Sequence, residues 1–174
     1  MNTLKMVFTL LIVVLGGIQF NGLSNLIQPV ASSPVEPDRP NLIRASLVFL
    51  GCPGSKLHQI QHGIEISSSK TGIGGVLLTS LLFTESNFRL SATSPKGYRG
   101  IAQTPTASMI YPEVDILHGA MILKDKLRIT NNNMFEALSL YKGGRNPEAR
   151  RQAQQVIHIY TNLMRRAEGK HWIG

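Results

Sequence analysis

Four prolines, Pro29, Pro34, Pro37 and Pro40, punctuate residues 28–41 with Ser, Asp and Glu between them. Proline lacks a backbone donor and clashes with the preceding turn, so this spacing excludes a helix and predicts an extended linker. The linker is assigned to residues 28–45 and the folded domain to 46–174, opening between 42 and 60. Ahead of the linker, Lys5 precedes an apolar stretch from Met6 to Ile18, broken only by Thr9 and the Gly16-Gly17 pair. A charged start and an apolar core of that length predict a secretory signal peptide or weak membrane anchor over 1–27, too short for a comfortable membrane span. A buried N-terminal helix is the alternative. The small residues Val30-Ala31-Ser32 lie well past the apolar run, so they do not define a cleavage site. The expected location is periplasmic or secreted, with anchoring to the inner membrane by the N-terminal segment as a variant.

Beyond the linker the pattern is helical and no internal repeat is visible. Val76 to Phe83 is a dense apolar run behind a glycine-rich turn at Gly72, Gly74 and Gly75. Ile116, Ala120, Leu123 and Leu127 recur at helical spacing on a segment that Pro112 helps to begin. Asn133 is placed to cap a short helix through Tyr141 that stops at Gly143-Gly144. Asn146-Pro147-Glu148 reads as an N-cap, a first-turn proline and an acid matched to the helix dipole. It opens a last helix with Ala153, Val156, Ile157, Tyr160, Leu163 and Met164 inward and Arg150, Arg151, Arg165 and Arg166 outward. No alternating strand of useful length appears; at most residues 97–103 form a short irregular hairpin. The fold class is mainly α.

Hydrophobic residues make up 43% and charged residues 16%, a globular balance. The net charge of +8 is concentrated late: from Lys124 to Lys170, ten Lys or Arg face four Asp or Glu. Such a surface suits nucleic acid, lipid headgroups or an acidic polymer such as cell wall, and charge does not choose among them. Nucleic acid is disfavoured because the basic helix lacks interleaved aromatics and the leader predicts export. Cys52 is the lone cysteine, so an intramolecular disulfide is excluded, and its apolar-to-turn setting reads as structural. His58 and His62 stand four apart, but Gln59 replaces the glutamate of a zinc-protease helix and no third ligand is evident; no metal site is assigned. Gly72-Ile73-Gly74-Gly75 lacks the Lys-Ser/Thr of a phosphate loop.

Glu85 stands out. Leu78, Leu81 and Leu82 precede it by seven, four and three positions and share its helix face. A carboxylate ending that stripe is partly desolvated, which raises its proton affinity. Glycoside cleavage needs such an acid, protonated near neutral pH and able to protonate the leaving oxygen. Position alone also fits a helix-end glutamate whose head reaches solvent.

Residues 85–103 read Glu-Ser-Asn-Phe-Arg-Leu-Ser-Ala-Thr-Ser-Pro-Lys-Gly-Tyr-Arg-Gly-Ile-Ala-Gln. This closely resembles the pattern E-S-x-F-x-x-x-A-x-S-x-x-G-x-x-G-x-M-Q of soluble-lytic-transglycosylase domains, which share the lysozyme-like fold with goose-type lysozyme. Glu85, Ser86, Phe88, Ala92, Ser94, Gly97, Gly100 and Gln103 match, and Ala102 stands at the usual Met. Val114-Asp115-Ile116-Leu117-His118-Gly119 resembles N-I-x-x-G, with Asp115 at the Asn. Ala137-Leu138-Ser139-Leu140-Tyr141-Lys142-Gly143-Gly144 resembles A-L-x-x-Y-N-A-G, with Lys142 and Gly143 at the Asn and Ala. The resemblance covers about residues 60–165.

The resemblance implies that Glu85 acts as acid and then base, and that the reaction needs no cofactor. It implies that Ser94 and Gln103 line a glycan groove and that Tyr141 contacts the sugar or the glutamate. Gly97 and Gly100 would allow tight turns where backbone approaches substrate. Lys142 would meet a peptide carboxylate or lactyl group. Between Glu85 and Glu113 there is no Asp or Glu, so no second carboxylate lies nearby in sequence. The family route needs only one: Glu85 protonates the oxygen between N-acetylmuramic acid and N-acetylglucosamine, then deprotonates the sugar's own 6-hydroxyl to close a 1,6-anhydro ring. The implied partner is a peptidoglycan strand, with a secretion, conjugation or phage apparatus as a further one, and the chain is expected to be a monomer. A hydrolytic muramidase and a glycan-binding module without catalysis are the alternatives.

Overall fold

The computed structural model describes residues 40–169 apart from 106 and 109. The leader expected over 1–27 and the linker as far as residue 39 lie outside the described residues. Among the described residues six helices run in order: α1 Pro40–Phe49, α2 Gly54–Thr71, α3 Gly75–Ser86, α4 Pro112–Ile129, α5 Met134–Tyr141 and α6 Pro147–Ala167. None of the described helices is long and apolar enough to cross a membrane.

The first helix begins inside the stretch expected to be linker. Pro40 stands at the helix's first position, where the missing N–H is not needed, so a proline there starts a helix instead of preventing one. Residues 40–45, expected as linker, are therefore helical. Ile43 and Leu47, one turn apart, bury in the core. The helix ends in a Schellman turn: Gly51 adopts φ 77°, its N–H donates to Val48 O at 3.0 Å, and Cys52 N–H donates to Leu47 O at 2.9 Å. Cys52 is buried there as a free thiol.

Helix α3 is the axis of the domain. Every residue from Gly75 to Leu82 is buried, as its all-round apolar sequence requires. It packs against α1, α2 and α6, while α4 packs on α2 and α5, and α5 on α6. The hydroxyls of Thr79, Ser80 and Ser86 would be costly in that core. Each donates back to the carbonyl four residues earlier, at 2.8, 2.8 and 3.2 Å. Leu78, Leu81 and Leu82 are at most 2% exposed, and burying each contributes about 1.5–3 kcal/mol. On α4, Ile116, Ala120 and Leu123 are buried and Leu127 packs against the core. Gly63 sets the α2–α4 approach: a Cβ there would lie 3.0 Å from Glu113 Cα.

Caps end the helices where local sequence indicates. Asn133 accepts from Glu136 N–H at 3.1 Å, and Asn146 from Ala149 N–H at 2.9 Å. Arg150 pairs with Glu136 at 2.9 Å and lies over the Phe135 ring, tying α6 to α5. The α3–α4 connection holds no named strand among the described residues. Isolated antiparallel bridges join Thr93 to Arg99 and Arg99 to Thr104, so the short irregular hairpin expected over 97–103 extends to a third segment at Thr93. Gly97 at φ 82° and Gly100 at φ 75° make its turns.

Candidate active site

Three elements converge on one cleft of about 1060 Å³: the C-terminal end of α3, the connection through residues 94–105, and the end of α5 with the turn that follows. Helices α4 and α6 supply its remaining walls. Glu85, Ser94, Gln103, Tyr141 and Lys142 all line it, although nearly 60 residues separate the first from the last. Gly100 does not. It is buried against the Asp115 carboxylate, where a Cβ would come within 2.5 Å of Oδ2.

Glu85 sits in the last turn of α3, and the chain reverses immediately after it. Asn87 and Phe88 both take left-handed conformations, φ 51° and 60°, and Phe88 is fully buried with its ring 5.8 Å from that of Phe83. That reversal lets the connection fold back beside the carboxylate. The Glu85 side chain is 13% exposed, and Lys142 Nζ lies 2.9 Å from its Oε1. The same ammonium donates to Thr84 Oγ1 at 2.8 Å, and the Lys142 side chain is only 3% exposed. Glu85 Oε2 has no hydrogen-bond partner among the described residues. One carboxylate oxygen is thus clamped and the other is left open.

Burial pushes the Glu85 carboxyl above the ordinary carboxylate range, and the charge and hydrogen bond of Lys142 pull it part of the way back. Burial lowers the Lys142 ammonium, against the opposing attraction of Glu85. Burial, then the Glu85 charge, raise the Tyr141 hydroxyl well above its usual value. Tyr141 is accordingly a neutral donor, and it donates to Ala102 O at 2.8 Å. Gly119 of α4 makes that contact possible: a Cβ there would lie 2.7 Å from Ala102 Cβ and 2.9 Å from the Tyr141 hydroxyl.

Gln103 occupies φ 49°, a left-handed conformation that costs a non-glycine residue about 1 kcal/mol or more. Its side-chain amide donates to Gly100 O at 2.8 Å and Ala92 O at 3.1 Å, which holds the strained turn in place. Its nitrogen therefore builds the cleft wall. Ser94 accepts from Tyr98 N–H at 3.0 Å. Asp115 is buried at the start of α4 and accepts from Ser108 N–H, so the Asp at the usual Asn anchors the approach to that helix.

Lys96, Lys126, Glu148 and Arg151 also line the cleft, and sequence motifs give no sign of it. Glu148 reads in sequence as a helix-start acid alone. Its carboxylate bonds Gln152 and Arg151, each at 2.7 Å, which lower its proton affinity. Glu148, Arg151, Gln152 and Gln155 share one face of α6 at i, i+3, i+4 and i+7, a periodicity legible along the chain. That this face borders the cleft is not. His58 and His62 stack with ring centroids 6.5 Å apart, and no group of three or more His, Cys, Asp or Glu gathers among the described residues.

These helices, with the cleft at the end of the central one, make a mainly α domain. The chain is similar to the X-ray structure of an inactive mutant of the lytic transglycosylase Slt from Pseudomonas aeruginosa. The TM-score is 0.55 and the identity 18%, over 64% of this chain and 25% of that one. A likeness at that identity speaks for the fold, and this chain spans a quarter of that enzyme's length. No family model and no curated protein matches the chain.

Proposed function

We propose that this chain is a peptidoglycan lytic transglycosylase with Glu85 as its acid and base. One observation carries the reading: a carboxyl at the end of a buried leucine stripe, raised by burial, lines a cleft of about 1060 Å³. The resemblance of residues 85–103 to the transglycosylase pattern supports it. So does the similarity of fold to a lytic transglycosylase, crystallised as an inactive Glu-to-Gln mutant.

In the first step Glu85 gives its proton to the oxygen linking N-acetylmuramic acid to N-acetylglucosamine, and the C1–O bond breaks. In the second, the Glu85 carboxylate takes the proton of the muramic acid 6-hydroxyl as O6 bonds to C1. The carboxyl ends protonated, and neither water nor cofactor is consumed. Ser94, with its O–H free to donate, and the carbonyl of Gln103 orient the glycan along the wall. The enzyme works as a monomer in the periplasm or outside the cell, on glycan strands and not on nucleic acid, with residues 1–27 as signal or anchor.

The test is mass spectrometry of products released from purified peptidoglycan. Anhydro-muramic ends are expected, and Glu85→Gln should release none while melting as the wild type does. An active E85Q protein refutes the assignment. Hydrolysis is the second reading, and Glu148 is the observation favouring it: an ionised carboxylate in the same cleft can activate water. Reducing ends abolished by Glu148→Gln would assign that route.

A further inference from the structure

The resemblance that places Glu85 in the role of acid has asparagine where this chain has Lys142. That departure lies at the centre of the cleft. Among the described residues, Lys142 Nζ touches two side-chain partners, Glu85 Oε1 at 2.9 Å and Thr84 Oγ1 at 2.8 Å, and the side chain is almost wholly withdrawn from solvent. It approaches from the turn after α5, which Tyr141 pins through its bond to Ala102 O at 2.8 Å. Glu85 and Thr84 are neighbours on α3, so the ammonium bridges two adjacent side chains of one helix end. A group so engaged is poorly placed to reach a substrate carboxylate.

We propose that Lys142 is a positioning residue that clamps Oε1 of Glu85, leaves Oε2 as the atom that passes the proton to and from the glycan, and sets the pH above which that proton is lost. The inference rests on Glu85 being the acid. A cation 2.9 Å away stabilises the carboxylate formed when Glu85 donates, making it a stronger acid and a weaker base. An asparagine amide at the same place would donate a hydrogen bond without the charge. Lys142 itself neither gains nor loses a proton in the cycle: the proton leaves Oε2 for the glycosidic oxygen and returns to Oε2 from the 6-hydroxyl. The other charged groups facing the cleft are Lys96 on the α3–α4 connection, Lys126 on α4, and Glu148 and Arg151 on α6, with the Tyr141 hydroxyl beside the pair. Glu148 and Arg151 bond each other at 2.7 Å. All five are unchanged by a substitution at 142, so the difference between variants isolates the clamp.

The experiment compares wild type with Lys142→Met, Lys142→Asn and Lys142→Arg by two readouts. One is the pH profile of initial peptidoglycan cleavage at low substrate. The other is the Glu85 carboxyl titration followed by carbon-13 NMR, assigned by the signal missing from E85Q. In K142M and K142N the alkaline limb and the NMR midpoint should both move to higher pH. In K142R, whose charge cannot be lost, both should stay or move lower. If K142M does not fold, K142R carries the test, since a rise in its alkaline limb or midpoint contradicts the proposal. An alkaline limb and midpoint that do not move in K142M or K142N, with only a uniform loss of rate, overturn it. The NMR titration needs no turnover, so a failed clamp is separable from a failed assignment of Glu85, which the E85Q product analysis reports.

Discussion

Gly119→Ala is a change that helix propensity and tertiary packing judge in opposite senses. On propensity alone, replacing an interior glycine of α4 by alanine stabilises the helix by about 1 kcal/mol. The packing opposes it, because the new methyl would lie 2.7 Å from Ala102 Cβ and 2.9 Å from the Tyr141 hydroxyl. Neither neighbour is the free end of a flexible chain, so the α4 contact must open. Overpacking of this kind costs about 1–3 kcal/mol. Displacing the hydroxyl also leaves the carbonyl of fully buried Ala102 without its 2.8 Å donor, a further loss of about 1–3 kcal/mol. Set against the propensity gain, the net destabilisation is about 1–5 kcal/mol, or roughly 2–20 °C in Tm for a domain of this size. Urea denaturation and thermal melting read it directly. Because half of the clash is with one hydroxyl, Tyr141→Phe should relieve part of it. The double variant G119A/Y141F should then be more stable than the sum of the single losses by about 1 kcal/mol. A G119A protein as stable as wild type, or more so, would refute the reasoning.

Gly100→Ala should cost about 2–4 kcal/mol, since alanine meets both a left-handed φ of 75° and the Asp115 carboxylate at 2.5 Å; an unchanged urea midpoint would count against that packing. Stability should also depend on pH through Glu85. Its carboxyl is raised in the folded chain, so its contribution is fully present below the ordinary carboxylate range and lost as pH rises through the raised value. Burial lowers the Lys142 ammonium beside it, against the attraction of Glu85. Between acid and neutral pH, therefore, the stability of wild type relative to E85Q should fall as pH rises. Melts of the two proteins across that range check it, and a difference that grows with pH would be inconsistent.

Features decided within a turn or two of chain are legible in the sequence alone. Asn133 and Asn146 cap because a side-chain oxygen reaches an amide three residues on, a purely local geometry. Leu78, Leu81, Leu82 and Glu85 share a face because a helix repeats every 3.6 residues, although that face alone also fits a carboxylate whose head reaches solvent. Pro40 shows the limit of such reasoning: proline counts against a helix interior but is welcome at a helix start, and local sequence does not say which applies. What faces Glu85 is beyond local reading altogether. Lys142 reaches it only because the turn after α5 is held against the α3–α4 connection by Tyr141 and Ala102, 39 residues apart in the chain. Gly119 must be small for that approach to close. The placement of Glu85 at the end of the leucine stripe is thus a property of one helix. Its partner, its open oxygen and the cleft in front of it depend on contacts between distant segments, whose closeness only close-packing of the whole core determines.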